Sequence, residues 1–257
     1  MKKINYSLAF GFCITFICVY IVMDVRLENI KDIRELYIGY YSFIPIGTSG
    51  TIIELIISVI HLSFLTYIFS SYISSELREK GVFIFTRTDR KENWLMGEYI
   101  NIFIKLSMYY LIQFMFLFFV GLIFGFHVMS FSNFIITVLF VLIIQIISSF
   151  VLVILANTVS LFSNTMYGYL SSLIALCINM SIVSALYNDN NIKLIKYLPF
   201  SQHLILLNNV ELVADKIVIS STAINALDIG MNMAICIFIL IVLIQVGRRK
   251  IKSLDIM

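Results

Sequence analysis

The residues that could do chemistry are few and scattered. His61, His127 and His203 lie in different segments, and no His-Glu-x-x-His occurs to hold a catalytic zinc. No Gly-x-Ser-x-Gly exposes a nucleophilic serine, and none of the 11 glycines is followed by Lys, so the chain has no phosphate-binding P-loop. Without paired catalytic groups an intramembrane enzyme is disfavoured, and any ATP-driven work needs a separate polypeptide to hydrolyse the nucleotide. Cys13, Cys18, Cys177 and Cys236 all fall in apolar stretches and read as small buried residues. Cys13 and Cys18, five apart on one helix, point in different directions, so neither a disulfide nor a metal site is expected.

Within the apolar stretches, ionisable groups are expensive and are functional candidates by default. Glu54 and His61 are seven residues apart, two helical turns along one face. One reading has them line a path for a cationic or amphipathic substrate. The other has Glu54 reach the membrane interface and His61 pack as a neutral, hydrogen-bonded residue. Gln113, Gln145, Asn157, Asn179 and Asn232 are expected to join helices by hydrogen bonds and not to contact cargo.

The elements that must position these groups follow from composition. Of 257 residues 60% are hydrophobic and 13% charged, Pro occurs only 2 times, and the mean hydropathy is +0.98. A soluble domain is roughly 45–50% apolar and 25% charged, so the bilayer is the solvent here. Residues 4–23, 55–75 and 229–247 contain no Asp, Glu, Lys or Arg, and neither does the long run 106–188. At roughly 20 apolar residues per crossing, the three short runs give one span each and the long run gives three. The expected fold is an all-α membrane protein of six transmembrane helices, at about 4–23, 51–75, 99–125, 133–156, 167–187 and 228–247. Turns inside the long run are expected where breaking and polar residues cluster, at 125–133 and at 157–167.

Lys and Arg are retained on the cytoplasmic side. With the N-terminus inside, that side holds Lys2, Lys3, Arg78, Lys80, Arg87, Arg90, Lys91, Arg248, Arg249, Lys250 and Lys252. The outside holds only Arg26, Lys31, Arg34, Lys193, Lys196 and Lys216, so both termini are expected in the cytoplasm. Lys105, at the inner end of the third span, is expected to snorkel to that surface. The net charge of +3 therefore reflects topology and not nucleic-acid binding. Met-Lys-Lys before an apolar run also suits a signal peptide, but the run is long and Asp24 follows without the small residues of a cleavage site, so it is kept as a first span.

Between spans 2 and 3 lies the one long cytoplasmic loop, 76–98, dense in charge and holding the single Trp of the chain, Trp94. Asp89 with Glu92 three later resembles a capping box, so a short amphipathic helix is expected there, carrying Trp94 and Leu95 toward a neighbour. The alternative is that the basic residues only set orientation and Trp94 sits in the headgroup belt. Outside, Tyr37, Tyr40 and Tyr41 are expected to form an aromatic belt. Residues 188–227, also outside, contain Leu-Pro-Phe at 198–200 and an apolar stretch at 204–207, which suits either re-entrant or interfacial helices. Gly121-x-x-x-Gly125 is expected to serve close packing within the molecule.

Six spans with both ends inside, and a Glu-x-x-x-Lys-Gly element after the second, resemble the type-2 ABC transporter permeases. Glu76, Lys80, Gly81, the apolar stretch 82–85, Arg87, Arg90 and Lys105 stand where that family has its motif, although Thr86 or Thr88 occupies the neighbourhood of its usual Pro. The resemblance covers essentially the whole chain, mostly through topology. It implies that 76–98 forms a coupling helix seated in a groove of an ATP-binding subunit, with Glu76, Lys80, Gly81, Arg87, Arg90 and Trp94 at the contact. It also implies a second permease subunit, identical or different, and ATP and Mg held by the ATPase partner with no cofactor in this chain. The location implied is the bacterial cytoplasmic membrane, and the cargo an exported amphipathic or peptide-like molecule, antimicrobial peptides included. The alternative from another class is an ATP-independent sensor, immunity or assembly protein that binds a partner through the same loop.

Overall fold

In hydrocarbon every backbone N–H and C=O must be satisfied within the protein, and helices do this segment by segment. The computed structural model describes residues 11, 13, 32–41, 52–87, 91–188, 192–195, 197–200 and 229–253. Among them there is no strand, only helices and one isolated bridge between Asp32 and His127. The helices are α1 (Ile33–Tyr41), α2 (Ile52–Ser70), α3 (Tyr72–Arg87), α4 (Lys91–Ile123), α5 (Phe131–Phe162), α6 (Thr165–Asn188), α7 (Ile192–Ile195) and α8 (Ile229–Lys252).

Four of them are long and apolar enough to cross a membrane, within Lys91–Ile123, Phe131–Phe162, Thr165–Leu186 and Met231–Lys252. They match the expected third, fourth, fifth and sixth spans. The second falls on α2, a helix of 19 residues, and the first lies outside the described residues apart from Gly11 and Cys13, which are helical. At 33 and 32 residues, α4 and α5 each run about 50 Å, well beyond a hydrocarbon core of about 30 Å.

Central in the bundle, α5 packs against α1, α2, α3, α4, α6 and α8. Its small polar residues allow this. Ser148 Oγ donates to the Ile144 carbonyl at 2.8 Å and Ser160 Oγ to the Asn157 carbonyl at 2.7 Å, so buried hydroxyls are satisfied by their own helix. Gly168 of α6 meets the same face: a Cβ there would press on the Ala156 carbonyl and lie 3.0 Å from Ser160 Cβ.

Two corrections concern helix ends. The expected turn at 157–167 is displaced, because α5 continues to Phe162 and the break falls at Ser163 and Asn164. Asn157, Thr158 and Ser160 are buried inside the helix; Asn157 Nδ2 and Ser160 Oγ bond back to its backbone, where in water such groups would mark a turn. The charged segment 76–98 is not a loop with a short helix in it. Its residues 76–87 belong to α3, and the helix that starts at Lys91 runs on unbroken as α4; residues 88–90 lie outside the described ones.

The break between α2 and α3 is held by Asn157, which is fully buried. Its Oδ1 accepts the Ile73 amide at 3.1 Å, and its Nδ2 donates to the Phe69 and Val153 carbonyls, both at 2.8 Å. One side chain thus caps the last turn of α2 and the first turn of α3, where backbone groups have no partner within a helix. Cys236 is buried as expected, whereas Cys13 and Cys177 face outward from the bundle, where lipid accepts a thiol as readily as a core does.

Asn157→Leu removes three hydrogen bonds and strands the Ile73 amide. It should lower stability by about 1–3 kcal/mol, read as a fall in the thermal midpoint of the detergent-solubilised chain. The exposed Ser163→Ala should shift it by less than about 0.5 kcal/mol. Gly168→Val should cost about 1–3 kcal/mol by forcing α5 and α6 apart.

Candidate functional site

Residues Ile33, Leu36, Tyr37, Tyr40 and Tyr41 are spaced i, i+3, i+4, i+7, i+8, the pattern of one apolar helix face. The structure buries all five. The expected aromatic belt is therefore corrected: these tyrosines belong to α1, which packs into the bundle against α4 and α5. Asp32 starts the helix. Its Oδ1 accepts the Arg34 amide at 3.0 Å, its Oδ2 accepts Arg34 Nε at 2.6 Å, and the Ile33 amide donates to the His127 carbonyl at 3.1 Å. Gly121 of α4 permits the close approach, for a Cβ there would lie 2.9 Å from Leu36 Cδ2. The Gly121 half of the glycine motif is thus an intramolecular packing site, while Gly125, at φ +85, forms the turn after α4.

Farther along α1 the interior turns polar. Tyr37 Oη donates to the Phe114 carbonyl at 2.6 Å, and Gln145 Nε2 to the Tyr41 carbonyl at 3.4 Å. Gln113, fully buried, donates from Nε2 to Tyr40 Oη at 3.2 Å and lies 3.4 Å from His61 Nδ1. With the amide N–H as donor, that contact is made to the lone pair of Nδ1. Around His61 stand four tyrosine rings, with centroids at 6.1 Å (Tyr40), 5.8 Å (Tyr41), 6.2 Å (Tyr109) and 5.7 Å (Tyr110). Tyr110 Oη shares a short hydrogen bond with Ser149 Oγ of α5. The hydroxyls of Tyr41 and Tyr109 are buried with no hydrogen-bond partner among the described residues.

Of the two expected path residues, His61 is buried at the centre of this cluster, and Glu54 lies two turns earlier on α2, its side chain outside the described ones. The expected helix-joining role of the amides is borne out for Gln113, Gln145 and Asn157. Reasoning from sequence placed Tyr40 and Tyr41 in a belt and missed Tyr109, Tyr110 and Ser149. The signal was the i, i+3, i+4 spacing of α1 and the Tyr109-Tyr110 pair in mid-run with Gln113 one turn on.

Of the expected partner-contact residues, Glu76, Gly81 and Trp94 are described with their surroundings. Glu76 is half-buried on α3, where Arg78 and Glu79 are exposed and Gly81 is buried; Lys80 and Arg87 lie on the same helix, their side chains outside the described ones, as is all of Arg90. Trp94 on α4 and Leu77 on α3 are both half-buried against the main core. Lys105 Nζ, expected to snorkel, donates to Tyr72 Oη at 2.6 Å and lies 4.1 Å from the centre of that ring. Lys252 pairs with Glu92 at 3.2 Å, tying the end of α8 to the start of α4. That pair is too exposed to add much stability. No cluster of three or more His, Cys, Asp or Glu that could hold a metal occurs among the described residues.

A bundle of membrane-length helices with a polar, tyrosine-lined interior and a charged helical end defines a polytopic membrane protein. Within that class, the chain belongs to the protein family of unknown function DUF2705, whose sequence profile matches residues 11–257. No curated protein and no solved structure matches it.

Gln113→Leu should lower the thermal midpoint by the equivalent of about 1–3 kcal/mol, because it leaves polar atoms on α1 and α2 without their donor. Gln245→Leu, at an exposed position of α8, should leave it unchanged.

Proposed function

We propose that the chain is the membrane-spanning permease subunit of an ABC-type transporter in the bacterial cytoplasmic membrane, with both termini in the cytoplasm. The observation that carries this reading is α3 with the start of α4, a charged helical element inserted between two apolar helices and pinned to the bundle by Asn157. A separate P-loop subunit, holding ATP and Mg, would seat against it through Glu76, Lys80, Gly81, Arg87, Arg90 and Trp94, with Arg78 and Glu79 on the exposed face. Because α3 continues α2 across the single residue Ser71, a push on α3 acts on His61 ten residues away, about 15 Å. The cargo on this reading is an amphipathic or peptide-like molecule moved outward, with a second permease subunit, identical or different, completing the path.

Mass spectrometry of what co-purifies with the chain from its native membrane in mild detergent tests the reading. Recovery of a P-loop ATPase in about one-to-one ratio is expected. Arg87→Glu with Arg90→Glu, or Trp94→Ala, should reduce transport-coupled ATP hydrolysis at least tenfold while the thermal midpoint of the bundle holds. Recovery of the chain without a nucleotide-binding protein would favour instead an ATP-independent sensor, immunity or assembly protein that uses the same helix.

A further inference from the structure

A tyrosine hydroxyl buried in hydrocarbon without a partner is costly, and two such groups around one histidine call for an occupant. Tyr41 and Tyr109 are 5% and 6% exposed, come from α1 and α4, and bring their ring centroids to 5.8 Å and 6.2 Å from that of His61. The other hydroxyls of this interior have partners: Tyr37 with the Phe114 carbonyl, Tyr40 with Gln113, Tyr110 with Ser149. Among the described tyrosine hydroxyls around His61, lack of a partner is thus confined to Tyr41 and Tyr109; away from this cluster the buried Tyr99 and Thr158 hydroxyls lack one too.

The surroundings select the charge of the occupant. An anion would need a cation, and α2 and α5 contain no Lys or Arg. On α1 the one cation is Arg34, bound to Asp32 at 2.5 Å at the far end of that helix. On α4 the cations are Lys91, at its first residue, and Lys105, held by Tyr72. Four tyrosine rings have their centroids 5.7–6.2 Å from that of the His61 ring; the π face of a tyrosine attracts a cation, and hydroxyl oxygens accept hydrogen bonds from N–H donors.

We propose that the Tyr41 and Tyr109 hydroxyls, with the tyrosine rings around His61, form a recognition site for a protonated amine, the cationic head of the amphipathic cargo. This deepens the transporter reading and rests on it for the identity of the cargo. The ammonium N–H groups donate to the two hydroxyl oxygens while its charge lies against the rings. The apolar remainder follows the lipid-like interior of the bundle.

The test uses the full chain in lipid nanodiscs and three probes of one size and different charge: benzylamine, benzyl alcohol and benzoate at neutral pH, followed by calorimetric titration. Benzylamine should bind at least tenfold more tightly than the other two. Tyr41→Phe and Tyr109→Phe should each weaken it about tenfold while leaving the thermal midpoint level or raised, since each removes an unpartnered hydroxyl. Tyr37→Phe removes a partnered one, so it should lower the midpoint and leave affinity unchanged. Equal binding of the three probes, a preference for benzoate, or undiminished binding in the Tyr41→Phe/Tyr109→Phe double variant would overturn the site. In that last case the hydroxyls hold water alone. Co-purification of an ATPase without benzylamine binding would remove this site and leave the transporter reading intact, and the reverse result would do the opposite.

Discussion

A helix that breaks inside a protein leaves carbonyls at one end and amides at the other, and at the edge of a bilayer neither can be left bare. Asn157 resolves this for α2 and α3 with one carboxamide. Only its oxygen can take the Ile73 amide and only its nitrogen can serve the Phe69 and Val153 carbonyls, so the chemistry fixes the orientation of the group. Because Asn157 sits on α5, which touches six of the other helices, the place where the charged α3 departs is tied to the centre of the bundle. Among its described side chains, α3 meets the core through Tyr72, Ile73 and Leu77, while Arg78 and Glu79 are exposed.

The same economy governs the interior. Apolar packing alone would fill the space between α2, α4 and α5 with aliphatic side chains, yet α1 brings three tyrosines into it and α4 adds Tyr109 and Tyr110. Each carries a large apolar ring, which packs, and a hydroxyl, which must find a partner. Gln113 and Ser149 meet two of these needs, the Phe114 carbonyl a third, and His61 lies beside Gln113 in the middle. A network this nearly satisfied restricts where the helices can sit, and its two open hydroxyls mark where something else belongs.

How much of this was legible depends on whether a feature is local. Span positions followed from uncharged length, a property each segment carries alone, and the four membrane-length helices fall where that length put them. Asn157, Thr158 and Ser160 misled because polar clusters mean turns in water and helix–helix bonds in lipid. The tyrosines of α1 misled for a related reason: at an assumed interface Tyr reads as a belt, and only the i, i+3, i+4, i+7 spacing argued for a packed helix. In segment 76–98 the charges announced solvent but said nothing about backbone, and most of it is helical. His61 and Gln113 could each be flagged as polar groups in apolar runs, but their meeting could not, since it joins positions 52 residues apart, and Gln145 reaches Tyr41 across 104.

Hydrogen–deuterium exchange of the chain in nanodiscs, wild type against Asn157→Leu, tests the pinned break most directly. If one side chain holds the junction, peptides covering 70–76 should lose protection at least tenfold in the variant, while those within α4 and α6 stay as slow as before. Unchanged exchange at 70–76 would mean that depth in the bilayer, and not Asn157, protects the break. The link drawn between the charged helix and the polar interior would then have no physical basis.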